Sequence, residues 1–80
     1  MAFPSFHGRE RENVSNFLDD LEMAFLVSGR DEDVVKLKAF PLVLQEEAKT
    51  WFSGLPPKKK RSWEVLKDAF MAKFGAHYYQ

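Results

Sequence analysis

Apolar side chains return every three or four residues through four stretches of this chain, and each stretch is closed by glycine or proline. That period admits helices and little else. Val14, Phe17, Leu18, Leu21, Ala24 and Phe25 form the first stripe, covering roughly 120° of a helix circumference. Asn13 stands before it as an N-cap and Gly29 after it as a residue able to take positive φ, so the first helix is expected at about 14–28. Asp31 or Asp33 is placed to cap a second helix at 32–40, carrying Val34, Leu37 and Phe40. Pro41 lacks a backbone donor and disfavours the α region at the residue before it, which predicts a break at Phe40. A third helix at 42–53 presents Leu44, Ala48, Trp51 and Phe52, with Leu55 continuing the face, and stops at Gly54 and the Pro56-Pro57 pair. Ser62 caps a fourth at 63–74, with Trp63, Leu66, Phe70 and Phe74 inward and Gly75 closing it. The first twelve residues, broken by Pro4 and Gly8, read as an extended arm that docks through Phe3 and Phe6. The expected fold is all-α, a compact bundle of about four helices with an extended N-terminal arm, one domain over 1–80.

Composition narrows the function. Eighty residues are 45% hydrophobic and 15% aromatic, and a chain this short buries only about 60% of its unfolded surface. Eight Phe, two Trp and two Tyr are therefore expected to supply much of the core, leaving little area for an enzyme cleft. No cysteine is present, which removes a disulfide framework, a zinc knuckle and a thiol nucleophile. No apolar run reaches the roughly 20 residues of a membrane span, and the opening MAFPSFHGRERE has no secretory apolar segment. A cytoplasmic protein is expected. His7 and His77 lie far apart without a second ligand at metal spacing, and the acidic run 31–33 lacks the glycine and distal glutamate of a calcium loop. Neither catalysis nor a cofactor is expected.

Twelve basic residues balance twelve acidic ones, yet residues 1–55 carry a net −4 and residues 56–80 a net +4. Such a dipolar domain pairs head to tail with its own copies or steers toward an anionic partner. Lys58, Lys59, Lys60 and Arg61 concentrate the positive end. They fit a solvated loop between helices, a weak and sequence-blind nucleic-acid contact, or a nuclear import signal. Asp19, Asp20 and Glu22 read as the solvent face of the first helix. Met23, Leu26 and Val27 lie off its apolar stripe, and either another element covers them or they form a partner surface. Trp51 and Trp63 sit on stripes expected to face the core.

Taken in order, Phe6 and Gly8, the run Asn16-Phe17-Leu18 to Leu21-Glu22, Phe25, Gly29, Lys36 and Phe40 make one pattern. It continues through Leu44, Ala48, Trp51-Phe52, Leu55, Ser62-Trp63, Leu66, Phe70 and Phe74. Its specific part is the Ala-x-x-Trp-Phe step followed by a second Trp ahead of Leu-x-x-x-Phe-x-x-x-Phe. Over nearly its whole length the chain resembles the Gag domain of Ty3/Gypsy-type LTR retrotransposons, and it looks similar to domesticated relatives such as the neuronal Arc protein and the paraneoplastic Ma antigens. It departs from them at Pro41 and at Gln45-Glu46.

The resemblance implies a retroviral-capsid N-terminal-domain-like fold and a structural, non-enzymatic role. The domain would self-associate weakly into a shell or oligomer that packages RNA, touching the RNA at most weakly itself. Its stopping point, near the place where the family continues into a second capsid lobe, is expected of an excised domain or a shortened domesticated copy. The likeness to Arc implies an alternative, a monomeric adaptor binding short peptides in a hydrophobic groove between arm and helices. Phe3, Phe6, Met23, Leu26 and Val27 are the candidates for either contact.

Overall fold

The computed structural model describes residues 3–9 and 11–75, and His77, one of the residues weighed for metal binding, lies outside them. Four α-helices follow the arm: α1 (Val14–Val27), α2 (Asp33–Val43), α3 (Glu46–Ser53) and α4 (Trp63–Phe74), with a 3-10 turn over Pro57–Lys60 between the last two. The Asn13 side chain accepts from the Asn16 N–H at 2.9 Å and starts α1. Ser28 caps its other end. Gly29 follows at φ 75°, its N–H donating to the Leu26 carbonyl at 3.1 Å and that of Arg30 to the Phe25 carbonyl at 2.9 Å. These two bonds satisfy carbonyls that a helix end leaves open. Ser62 accepts from the Val65 N–H at 3.2 Å and starts α4.

The second and third helices differ from expectation. Neither Asp31 nor Asp33 caps α2: Glu32 holds the N-cap position without a side-chain cap bond, and Asp33 is already helical. The break at Phe40 does not occur, because α2 runs through Pro41 to Val43. Phe40 and Val43, three residues apart, are both buried, and only a continued helix puts them on one face. Leu42 is then turned outward and is 74% exposed. The next helix accordingly begins at Glu46 rather than 42, and Leu44 leaves the expected α3 face to pair with the arm.

That pairing is a single parallel bridge between Phe6 and Leu44. The Phe6 N–H donates to the Val43 carbonyl at 2.9 Å, and the Gln45 N–H donates to the Phe6 carbonyl at 2.8 Å. A helix end and a helix start are thus both satisfied by the arm. The bridge seats the Phe6 ring beside Phe17, Phe70 and Phe74, with centroids 4.9–5.4 Å apart. Phe70 is the hub of the core, with the rings of Phe6, Phe17, Phe40, Trp51 and Phe74 at 4.9–5.8 Å around it. Trp63 is buried as expected, whereas Trp51 is only half-buried.

Candidate functional site

A helix advances about 100° per residue, so the α1 core stripe centred on Leu21 leaves Met23, Leu26 and Val27 within roughly 100° of one another on the opposite side. The structure leaves them open to solvent, 58%, 59% and 59% exposed. Among the described residues no other element covers them. Met23 lies three residues from Leu26 and four from Val27, so the three side chains adjoin in one patch on the outside of α1.

The two arm candidates behave otherwise. Phe6 is wholly buried, while Phe3 packs its ring edge-on against Phe25 at 5.3 Å and stays partly exposed. Phe6 therefore belongs to the core, and Phe3 is the ring of the arm that stays partly open to solvent. Gly8, at φ 92°, turns the arm sharply. The Glu12 carboxylate closes that turn, accepting from the His7 N–H at 2.9 Å and the Arg9 N–H at 2.8 Å, with His7 Nδ1 3.2 Å away. Arg9 in turn pairs with Glu46 at the start of α3.

Partial burial pushes the Glu12 carboxyl up, but the hydrogen bonds from Arg9, His7 and Gly8 outweigh it and hold it below the ordinary carboxylate value. A carboxylate whose folded pKa is depressed stabilises the fold above the unfolded value, and that stability is lost as pH falls through the folded pKa. Glu12→Gln is expected to lower stability at neutral pH by about 1 kcal/mol and to flatten the acid limb below the ordinary glutamate pKa. Chemical denaturation from pH 7 down to pH 3 reads both effects. An acid limb identical to that of the parent chain would show that Glu12 does not lock the arm.

Glu22 is not simply a solvent-facing acid. It accepts from the Trp63 indole N–H at 3.2 Å and sits 3.4 Å from the Lys67 ammonium and 3.7 Å from that of Lys36. Burial pushes its carboxyl up, and the Trp63 bond with the two lysines brings the net value down. By accepting the indole proton, Glu22 lets Trp63 bury its ring without an orphaned donor.

The 3-10 turn divides the basic run. The Lys60 ammonium lies over the Phe52 ring, 4.4 Å from its centroid. Lys58, Lys59 and Arg61 instead line, with Val65, a shallow depression of about 330 Å³. Leu42 and Met71, 74% and 43% exposed, are further exposed apolar groups that the sequence did not single out, and Val34, expected on the apolar pattern of the second helix, is 54% exposed. Val34 lies about 120° around α2 from Phe40, which an angular reading of the helix would have revealed; Leu42 was hidden by the expected break. Among the described residues no group of His, Cys, Asp or Glu is placed to hold a metal ion, and no helix is long and apolar enough to cross a membrane.

Among known proteins, no curated protein and no solved structure matches the chain. A family model does match, that of the retrotransposon-derived protein PEG10, N-terminal capsid-like domain, over residues 1–75. The match takes in the arm, all four helices and the outer patch of α1, and the chain belongs to this Gag-like, retrotransposon-derived family of N-terminal capsid-like domains.

Proposed function

We propose that this domain is a structural, non-catalytic unit that associates weakly and repeatedly with copies of itself, as a Gag-like capsid lobe does in building a shell around RNA. One observation carries the reading: α1 exposes Met23, Leu26 and Val27 together on the side away from a core that is already closed. Adjoining apolar groups on an outer face gain by being covered, and a capsid-like domain has its own copies as partners. Each contact is weak because the patch is small, and a lattice repeats it.

Met23→Asp combined with Val27→Asp is expected to weaken self-association at least tenfold, equivalent to about 1.4 kcal/mol. Both positions face solvent, so folding stability should change by less than about 1 kcal/mol. A concentration series of two-dimensional amide spectra reads the association and locates it. Concentration-dependent shifts in residues 16–28 of the parent chain, absent from the double variant, support the surface. Equal association by both proteins rules it out.

A further inference from the structure

A row of four cations in a sequence reads as one feature, but the fold uses them in two ways. Pro56 and Pro57 lead into the 3-10 turn, which aims Lys60 back onto Phe52 and leaves Lys58, Lys59 and Arg61 around a depression with Val65. Among the described residues no carboxylate lines that depression. Lys58, Lys59 and Arg61 are exposed and, among the described residues, make no ion pair. Like charges held together by a proline-initiated turn repel one another, and an anionic occupant relieves that repulsion.

We propose that this depression receives the Asp31-Glu32-Asp33 segment of a second copy of the chain. The proposal deepens the self-association reading and rests on it. Charge complementarity argues for this occupant. Asp31, Glu32 and Asp33 are consecutive, exposed and without an ion-pair partner among the described residues, so the chain carries both halves of the contact and leaves each unmatched. Val34, 54% exposed, follows the acidic run, and Val65 lines the basic depression, so each charged cluster has an apolar neighbour to shield its ion pairs from water. A nucleic-acid strand is the less favoured occupant, since none of the residues lining the depression is an aromatic on which a base would stack.

The two surfaces differ, so the contact is head to tail and repeats from copy to copy into a ring or an open filament. It is electrostatic and weakens as salt rises, whereas the α1 patch is apolar and does not depend on salt in that way.

Two variants test it. Asp31→Lys with Glu32→Lys reverses the acidic segment and leaves Asp33 in the first turn of α2, where the helix dipole favours it. Lys58→Glu with Lys59→Glu reverses the depression. Sedimentation and amide spectra in low salt are expected to show at least tenfold weaker self-association for each variant alone and association restored when the two are mixed, with both chains in equal proportion. Amide spectra also establish that each variant is folded. If both variants associate as the parent chain does, the electrostatic contact is overturned and the α1 surface stands. If the parent chain stays monomeric at millimolar concentration, the self-association reading falls and takes this contact with it. If Lys58→Glu with Lys59→Glu loses affinity for a fluorescent single-stranded RNA while self-association is unchanged, the depression is a nucleic-acid surface and the proposal is wrong.

Discussion

Phe6→Ala is expected to remove about 3–5 kcal/mol of folding stability. The ring is 1% exposed and touches Phe17, Phe70 and Phe74 at centroid distances of 5.1, 4.9 and 5.4 Å, so truncation leaves a hole lined by three aromatic rings belonging to two helices. Those helices cannot close it without moving Phe70, which also packs against Phe40 and Trp51. A domain of this length has on the order of 4–12 kcal/mol in total, so the loss is a large share of it. Thermal unfolding followed by circular dichroism should show a fall of roughly 15–30 °C in Tm. A loss below about 1 kcal/mol would mean that the arm is an appendage rather than part of the cooperative core.

Gly8→Ala is expected to cost about 2–4 kcal/mol, from two sources. The residue sits at φ 92°, a region that charges an L-residue about 1–2 kcal/mol. An added Cβ would also lie 3.1 Å from the Ala48 backbone nitrogen, 3.1 Å from Glu47 Cβ and 3.2 Å from a Phe74 ring carbon. The first two of these belong to the start of α3 and cannot swing away as a flexible side chain would, which adds overpacking strain of about 1–2 kcal/mol. Gly29→Ala is the natural control. It shares the positive φ, at 75°, but a Cβ there meets nothing within 4 Å, so only the conformational cost of about 1–2 kcal/mol applies. Denaturant titration of the two variants separates close approach from backbone conformation. Equal losses at Gly8 and Gly29 would show that the arm does not press against α3 as closely as the structure has it.

Both predictions concern the arm, where the chain was hardest to read in advance. Phe3 and Phe6 are equivalent as sequence, two rings three residues apart in an irregular segment with no period to rank them. Their difference arises from a bridge to Leu44, 38 positions along the chain. The same bridge explains the misreading of α2 and α3: Pro41 is a sound local argument for ending a helix, but burial of Phe40 and Val43 on one face outweighs one lost hydrogen bond, and the arm satisfies the backbone groups at the joint. Glu22 was placed on the solvent face because an acid on an amphipathic helix ordinarily belongs there. An indole N–H and two ammonium groups from α2 and α4 were needed to hold it at the edge of the core.

The proposed association surface was more legible, for a physical reason. Whether Met23, Leu26 and Val27 point away from Leu21 depends only on helix geometry, so their angular grouping follows once α1 is recognised. Whether another element covers that side depends on the packing of the whole bundle, and only the fold leaves it bare. The basic run divides in the same manner. Its charge can be read directly, but the 3-10 turn and the Phe52 ring decide that Lys60 is spent within the molecule while Lys58, Lys59 and Arg61 are offered outward.

The sequence alone therefore determined the helical class, the N-caps at Asn13 and Ser62, the positive-φ Gly29 that follows α1, the inward faces of α1 and α4 and the separation of charge. Each of these depends on residues within about four positions of one another or on a simple count. Tertiary structure alone decided that Phe6 anchors the arm, that α2 passes through Pro41, that Leu42 faces outward and that one of the four cations in the basic run, Lys60, is withdrawn. Those outcomes depend on contacts between distant parts of the chain, where burying a ring or matching a backbone hydrogen bond outweighs local preference.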